Sequence, residues 1–163
     1  VLTAPAANPG ITKPFNRAPA PINCRDDEES GAGMGGPMPL TRVSMLKGKP
    51  ADYRRAILDS LYQAMREIFE IPEDDCFMTI EELDPENFLY GKTYLNISRD
   101  DDLVIIQVTV NNTRGPDKKK ALYARIAELL AQSPGIRPEN VLINLLEVPK
   151  ENWSFGQGLA QYA

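Results

Sequence analysis

The chain has 163 residues, 42% of them apolar and 25% charged, with a formal net charge of −5. That is enough apolar material for one real core, and the acidic balance excludes phosphate-backbone binding as the main task, since such affinity comes from clustered Lys and Arg. No stretch approaches the roughly 20 apolar residues needed to cross a bilayer, and the N-terminus lacks the apolar core of a secretion signal, so a cytoplasmic chain is expected.

Residues 1–38 are rich in Pro, Gly and Ala, carry the acidic run Asp26-Asp27-Glu28-Glu29 and close on Gly31-Ala32-Gly33-Met34-Gly35-Gly36. Such a composition forms no core by itself. It reads as a flexible tail, or as an arm extended along a protein partner with Ile11, Phe15 and Ile22 as anchors. The glycine cluster lacks the Lys and Ser/Thr of a phosphate loop.

From Leu40 the pattern changes to short β-prone runs alternating with helical periodicity, the signature of β-α-β units. Thr41 to Leu46 predicts a strand. Pro50 suits a helix start, and apolar residues from Ile57 to Phe69 recur at three- and four-residue spacing, which predicts a helix to about Phe69. After the turn Pro72-Glu73-Asp74-Asp75, Cys76 to Leu83 is the next strand, ended by Asp84-Pro85-Glu86-Asn87. Leu103 to Val110 then predicts a third strand. Pro116 opens a helix whose stripe is Leu122, Ile126, Leu129 and Leu130, and Val141 to Val148 completes a fourth strand.

The second half repeats the first. Pro72-Glu73-Asp74 recurs as Pro138-Glu139-Asn140, Ala56-Ile57-Leu58 as Ala121-Leu122-Tyr123, and Glu86-Asn87-Phe88 as Glu151-Asn152-Trp153, out of step by a single residue. Two related units, about 39–90 and 91–163, imply an α/β (α+β) domain: a four-stranded mixed sheet with both helices on one face. The opposite face is then bare. With Val104, Ile105, Ile106 and Val108 apolar on both sides of the third strand, it is expected to bury against other copies, most plausibly as a trimer.

Histidine is absent, which excludes a His-containing triad, and Cys24 and Cys76 match no metal-ligand spacing. No metal site is expected. Cys76 reads as a small buried apolar residue. Lys118-Lys119-Lys120 reads as a solvated helix face, and Asp100-Asp101-Asp102 as a turn without the spaced ligands of a calcium loop.

Met38-Pro39-Leu40-Thr41-Arg42-Val43, with a proline opening the first strand, resembles the start of a tautomerase-superfamily subunit. Pro72-Glu73-Asp74-Asp75, the segment Arg114 to Tyr123, and Trp153-Ser154-Phe155-Gly156-Gln157-Gly158 resemble the malonate semialdehyde decarboxylase branch. The resemblance implies a cofactor-independent enzyme acting on a small carboxylate-bearing substrate. By position, Pro39 is implied as the acid/base, Asp75 as the group that orients water or substrate, and Arg114 as the carboxylate-binding or carbonyl-polarising cation. Trp153 and Phe155 are implied as pocket walls. The branch pattern has two arginines two residues apart; here the first position is Asn112, a substrate-binding candidate.

In the family that proline is a free N-terminus, whereas here Pro39 follows Met38 and its nitrogen is an amide with a delocalised lone pair. Two readings follow: proton transfer by an amine at Pro39 once the chain is processed, or a catalytically silent subunit whose tail, residues 1–38, engages a partner. The bland alternatives are a turn-forming Asp75, a solvent-exposed loop Arg114, and Trp153 and Phe155 closing the core.

Overall fold

The computed structural model describes residues 38–163; residues 1–37, and with them the anchors Ile11, Phe15 and Ile22, lie outside the described residues. The elements are β1 (Leu40–Leu46), α1 (Ala51–Ala64), β2 (Phe77–Leu83), β3 (Val104–Asn111), α2 (Pro116–Gln132) and β4 (Val141–Val148). Strand order is β2-β1-β3-β4. Within each half the two strands are parallel, and the halves meet antiparallel along β1 and β3. This is the expected four-stranded mixed sheet of two β-α-β units.

Burial alternates along the strands. Val43 and Met45 of β1 and Val104, Ile106, Val108 and Val110 of β3 are buried, and they join Ile57 and Leu61 of α1 and Leu122, Ile126 and Leu130 of α2 in one core. Both helices therefore cover one face. Each such side chain contributes roughly 1.5–3 kcal/mol by leaving water, so this single layer of contacts holds the fold. The other face leaves Phe77, Leu142 and Leu146 exposed. Beyond Ile105 that face turns polar along β3, at Gln107 and Thr109.

The first helix runs to Phe69 as expected, but its last turn, Met65–Phe69, widens into a π-helix. Glu70 then takes a left-handed conformation with φ 55° and stops it. Such wide turns are frequent at functional sites, and this one buries Met65 and Phe69 together. The internal repeat is visible in the connections: Pro85–Asn87 and Lys150–Asn152, equivalent in the two halves, are both 3-10 turns. The long link between halves holds a further turn, Tyr94–Asn96, and exposes Leu89, Tyr94 and Leu95.

The register defines two ends of the sheet. Leu40 stands opposite Phe77 on one side and Thr109 on the other, and Asn111 opposite Val148. The starts of β1 and β2 and the ends of β3 and β4 therefore share one end. Pro39, Asp75, Asn111 and the segment after Val148 converge there.

Candidate active site

Pro39 is buried directly before β1, one register step beyond the pairing of Leu40 with both neighbours. Asp75 closes the turn before β2, where its backbone N–H donates to the Pro72 carbonyl at 3.2 Å. Its side chain is sealed: the residue is 3% exposed, and neither carboxylate oxygen has a hydrogen-bond partner. Burial pushes its pKa up to about 7, the charge of Asp74 pushes the same way, and Arg114 opposes both. Asp75 is thus poised between its two protonation states near neutrality.

Arg114 sits on the loop between β3 and α2. Its guanidinium lies over the Phe69 ring at 4.2 Å, the cation held by an aromatic face at the wide turn. Nη1 donates weakly to the Asn111 carbonyl at 3.5 Å and to Thr113 Oγ1 at 3.4 Å. Burial lowers its pKa, and the charges of Asp75 and Glu147 act in the opposite direction. Arg114 forms no ion pair within 4 Å among the described residues, so a cation stands at the site with its charge uncommitted.

The C-terminal segment supplies an aromatic wall. Trp153 and Phe155 stack with centroids 5.5 Å apart, and Tyr162 meets Phe155 edge-on at 5.3 Å. The chain turns back through Gln157 and Gly158, with φ of 57° and 69°. Gln161 clasps the turn: its Oε1 accepts from the Phe155 N–H and its Nε2 donates to the Gly156 carbonyl, both at 3.0 Å. Burial raises the Tyr162 phenol, and the charge of Asp75 raises it further. Trp153 Nε1 is buried without a partner.

The structure therefore brings Asp75, Arg114, Trp153 and Phe155 to the end of the sheet that Pro39 opens. Asn112 is exposed, and its backbone N–H donates to the Val148 carbonyl at 3.2 Å. Its neighbour Asn111 is 1% exposed, with both carboxamide atoms unpartnered. Asn111 and Tyr162 were not singled out by the sequence. The one signal for Asn111 is a polar residue ending an otherwise alternating apolar strand; Tyr162 lies in a segment without periodicity.

A tautomerase enzyme family matches residues 75–156, and a second tautomerase family matches residues 39–96. YusQ of Bacillus subtilis (strain 168), described as a probable tautomerase, is 35% identical over 124 residues, covering 76% of this chain and 98% of its own. A solved structure of FG41 malonate semialdehyde decarboxylase inhibited by 3-bromopropiolate is 32% identical with a TM-score of 0.71, covering 76% of this chain and 93% of that one. An asymmetric trimer of fused 4-OT shares the fold with a TM-score of 0.63 at 20% identity, over 75% of this chain and 96% of its own. The chain belongs to the tautomerase family.

Proposed function

We propose that this chain moves a proton between carbon and oxygen of a small keto, enol or unsaturated carboxylic acid. The observation that carries this reading is an uncommitted Arg114 cation acting on a sealed Asp75 whose pKa is about 7. A cation takes the substrate carboxylate and draws charge toward the carbonyl, while a carboxyl near pKa 7 orients or exchanges a proton at working pH. Pro39 joins them as an acid/base when its nitrogen is an amine, which requires removal of Met38 and the residues before it. Trp153 and Phe155 form the apolar wall, and Asn112 stands at the rim. The decarboxylase relative supports loss of CO2 as an alternative outcome at the same groups.

Three copies closing over the open sheet face are the assembly this reading favours, supported by exposed Phe77, Leu142 and Leu146 and by the trimeric relative. The test is ketonisation of phenylpyruvate enol, followed by its ultraviolet absorbance, for chains starting at Val1 and at Pro39. Activity in the Pro39-start chain, greatly reduced by Pro39→Ala, with weakened substrate binding in Arg114→Ala, is expected. Full turnover in both variants would overturn the reading.

The peptide bond joining Met38 to Pro39 favours one second reading, a silent subunit engaging a protein partner through residues 1–38. Deleting residues 1–36 then shifts elution from a sizing column; an unchanged profile with candidate partners counts against it.

A further inference from the structure

Asn111 ends β3 at the level of the candidate site, opposite Val148 of β4. It is 1% exposed, and both its Nδ2 donor and its Oδ1 acceptor lack partners. A buried carboxamide ordinarily finds hydrogen bonds, because leaving its dipoles idle away from water costs free energy. The fold itself offers the control. Asn140, also 1% exposed, accepts at Oδ1 from the Asp100 N–H at 3.0 Å and donates through Nδ2 to Asp100 Oδ1 at 2.5 Å. One buried asparagine is fully engaged, and the other is left open beside the site.

The backbone of Asn111 is tied to the site cation, since its carbonyl accepts from Arg114 Nη1. Leu40 pairs with Thr109 and with Phe77, so Asn111 lies two residues beyond one partner and Asp75 two residues before the other. Two other buried polar groups of this end, the Asp75 carboxyl and Trp153 Nε1, are also unpartnered. Three buried polar groups at this end of the sheet are thus without partners.

We propose that Asn111 is a substrate-contacting residue whose carboxamide binds the neutral oxygen of a 2-oxo or 2-enol monocarboxylate while Arg114 holds the carboxylate. This rests on the reading given under Proposed function and names the substrate group read at that site. The chemistry selects an amide for a definite reason. A keto oxygen only accepts hydrogen bonds, whereas an enol hydroxyl also donates. A guanidinium can serve the first and not the second; a carboxamide serves both by presenting Nδ2–H or Oδ1. An interconverting pair is thus held through either form by one side chain.

The experiment is calorimetric titration of the full chain with phenylpyruvate and with 3-phenylpropanoate, which keeps the carboxylate and ring but lacks the 2-oxygen. Wild type is expected to bind phenylpyruvate about tenfold more tightly, the equivalent of one good hydrogen bond. Asn111→Leu, close in shape, is expected to bind both probes equally, with 3-phenylpropanoate unchanged. Arg114→Ala is expected to weaken both.

A preference retained in Asn111→Leu, with both probes weakened by Arg114→Ala, overturns the role of Asn111 and leaves the carboxylate site standing. Binding of neither probe by wild type, or no effect of Arg114→Ala, overturns the site reading as well. A shift in sizing-column elution for Asn111→Leu assigns the amide to a subunit contact and also overturns the proposal. Should the leucine variant fail to fold, Asn111→Ser, too short to reach the same oxygen, is expected to lose the preference, and its retention refutes the contact.

Discussion

The two ends of this sheet, related by an internal repeat, treat their polar groups in opposite ways. At the end where β3 and β4 begin, Asp100 bonds Asn140 through backbone and side chain and pairs with Arg137 at 2.7 Å. Its carboxyl sits below its usual range, because the Asp102 N–H, Asn140 and Arg137 all favour the charged form. At the end where β1 and β2 begin, the side chains of Asp75 and Asn111 are buried, unlike half-exposed Asp100, and have no hydrogen-bond partners, and the Asp75 carboxyl is pushed upward. One end has been completed as structure. The other leaves its buried polar side-chain atoms without partners.

The largest test of this contrast is Asp75→Asn. An acid whose folded pKa lies above its unfolded value contributes stability that is full below the unfolded value, near 3.8, and lost as pH rises through the folded value of about 7. Asp75→Asn cannot ionise, so it is expected to match wild type at pH 4 and to exceed it by on the order of 2–4 kcal/mol at pH 8.5. Melting curves at the two pH values decide this; equal curves at both mean that Asp75 is not held in a desolvated site.

Arg114→Ala is next, with an expected rise in KM of about 10–100-fold for a carboxylate substrate, the loss typical of removing a partly buried cation from its anion. Steady-state kinetics of enol ketonisation measures it, and an unchanged KM removes Arg114 from the binding site. A pair of asparagine variants then sharpens the comparison directly. Asn140→Leu, which removes two hydrogen bonds to Asp100, is expected to cost about 1–3 kcal/mol in urea unfolding, whereas Asn111→Leu, which removes none made by the side chain, is expected to be near neutral. Equal losses would mean that Asn111 has a partner after all. Smallest is Arg137→Ala. Both partners of its ion pair are about half exposed, so a change of no more than ~1 kcal/mol is expected by the same method.

Much of the fold was legible because apolar spacing reports which side of an element faces the core. The strand alternation and the two helical stripes depend on that alone. Asp75, Arg114, Trp153 and Phe155 were singled out by their motifs as candidates, and the topology brings them to one end because β-α-β units deliver strand starts of one half and strand ends of the other there. Asn111 and Asn140 show what spacing cannot carry. They are the same residue with the same burial, and only the presence of Asp100 near one of them distinguishes them. Solvent-exposed Asn112 and sealed Asn111 are likewise adjacent in the chain, with their difference set by where β3 stops. The π turn at Met65–Phe69 left no trace either, since a widened turn preserves an apolar run while shifting the ring that supports Arg114.

The Gln161 clasp has a mechanical consequence. Both its hydrogen bonds close within residues 155–161 rather than onto the body of the domain, and Tyr162 leans on Phe155 rather than on a strand. The aromatic wall is therefore cross-braced within its own short segment, so that the shape it presents at this end of the sheet is set by its own hydrogen bonds and ring contacts.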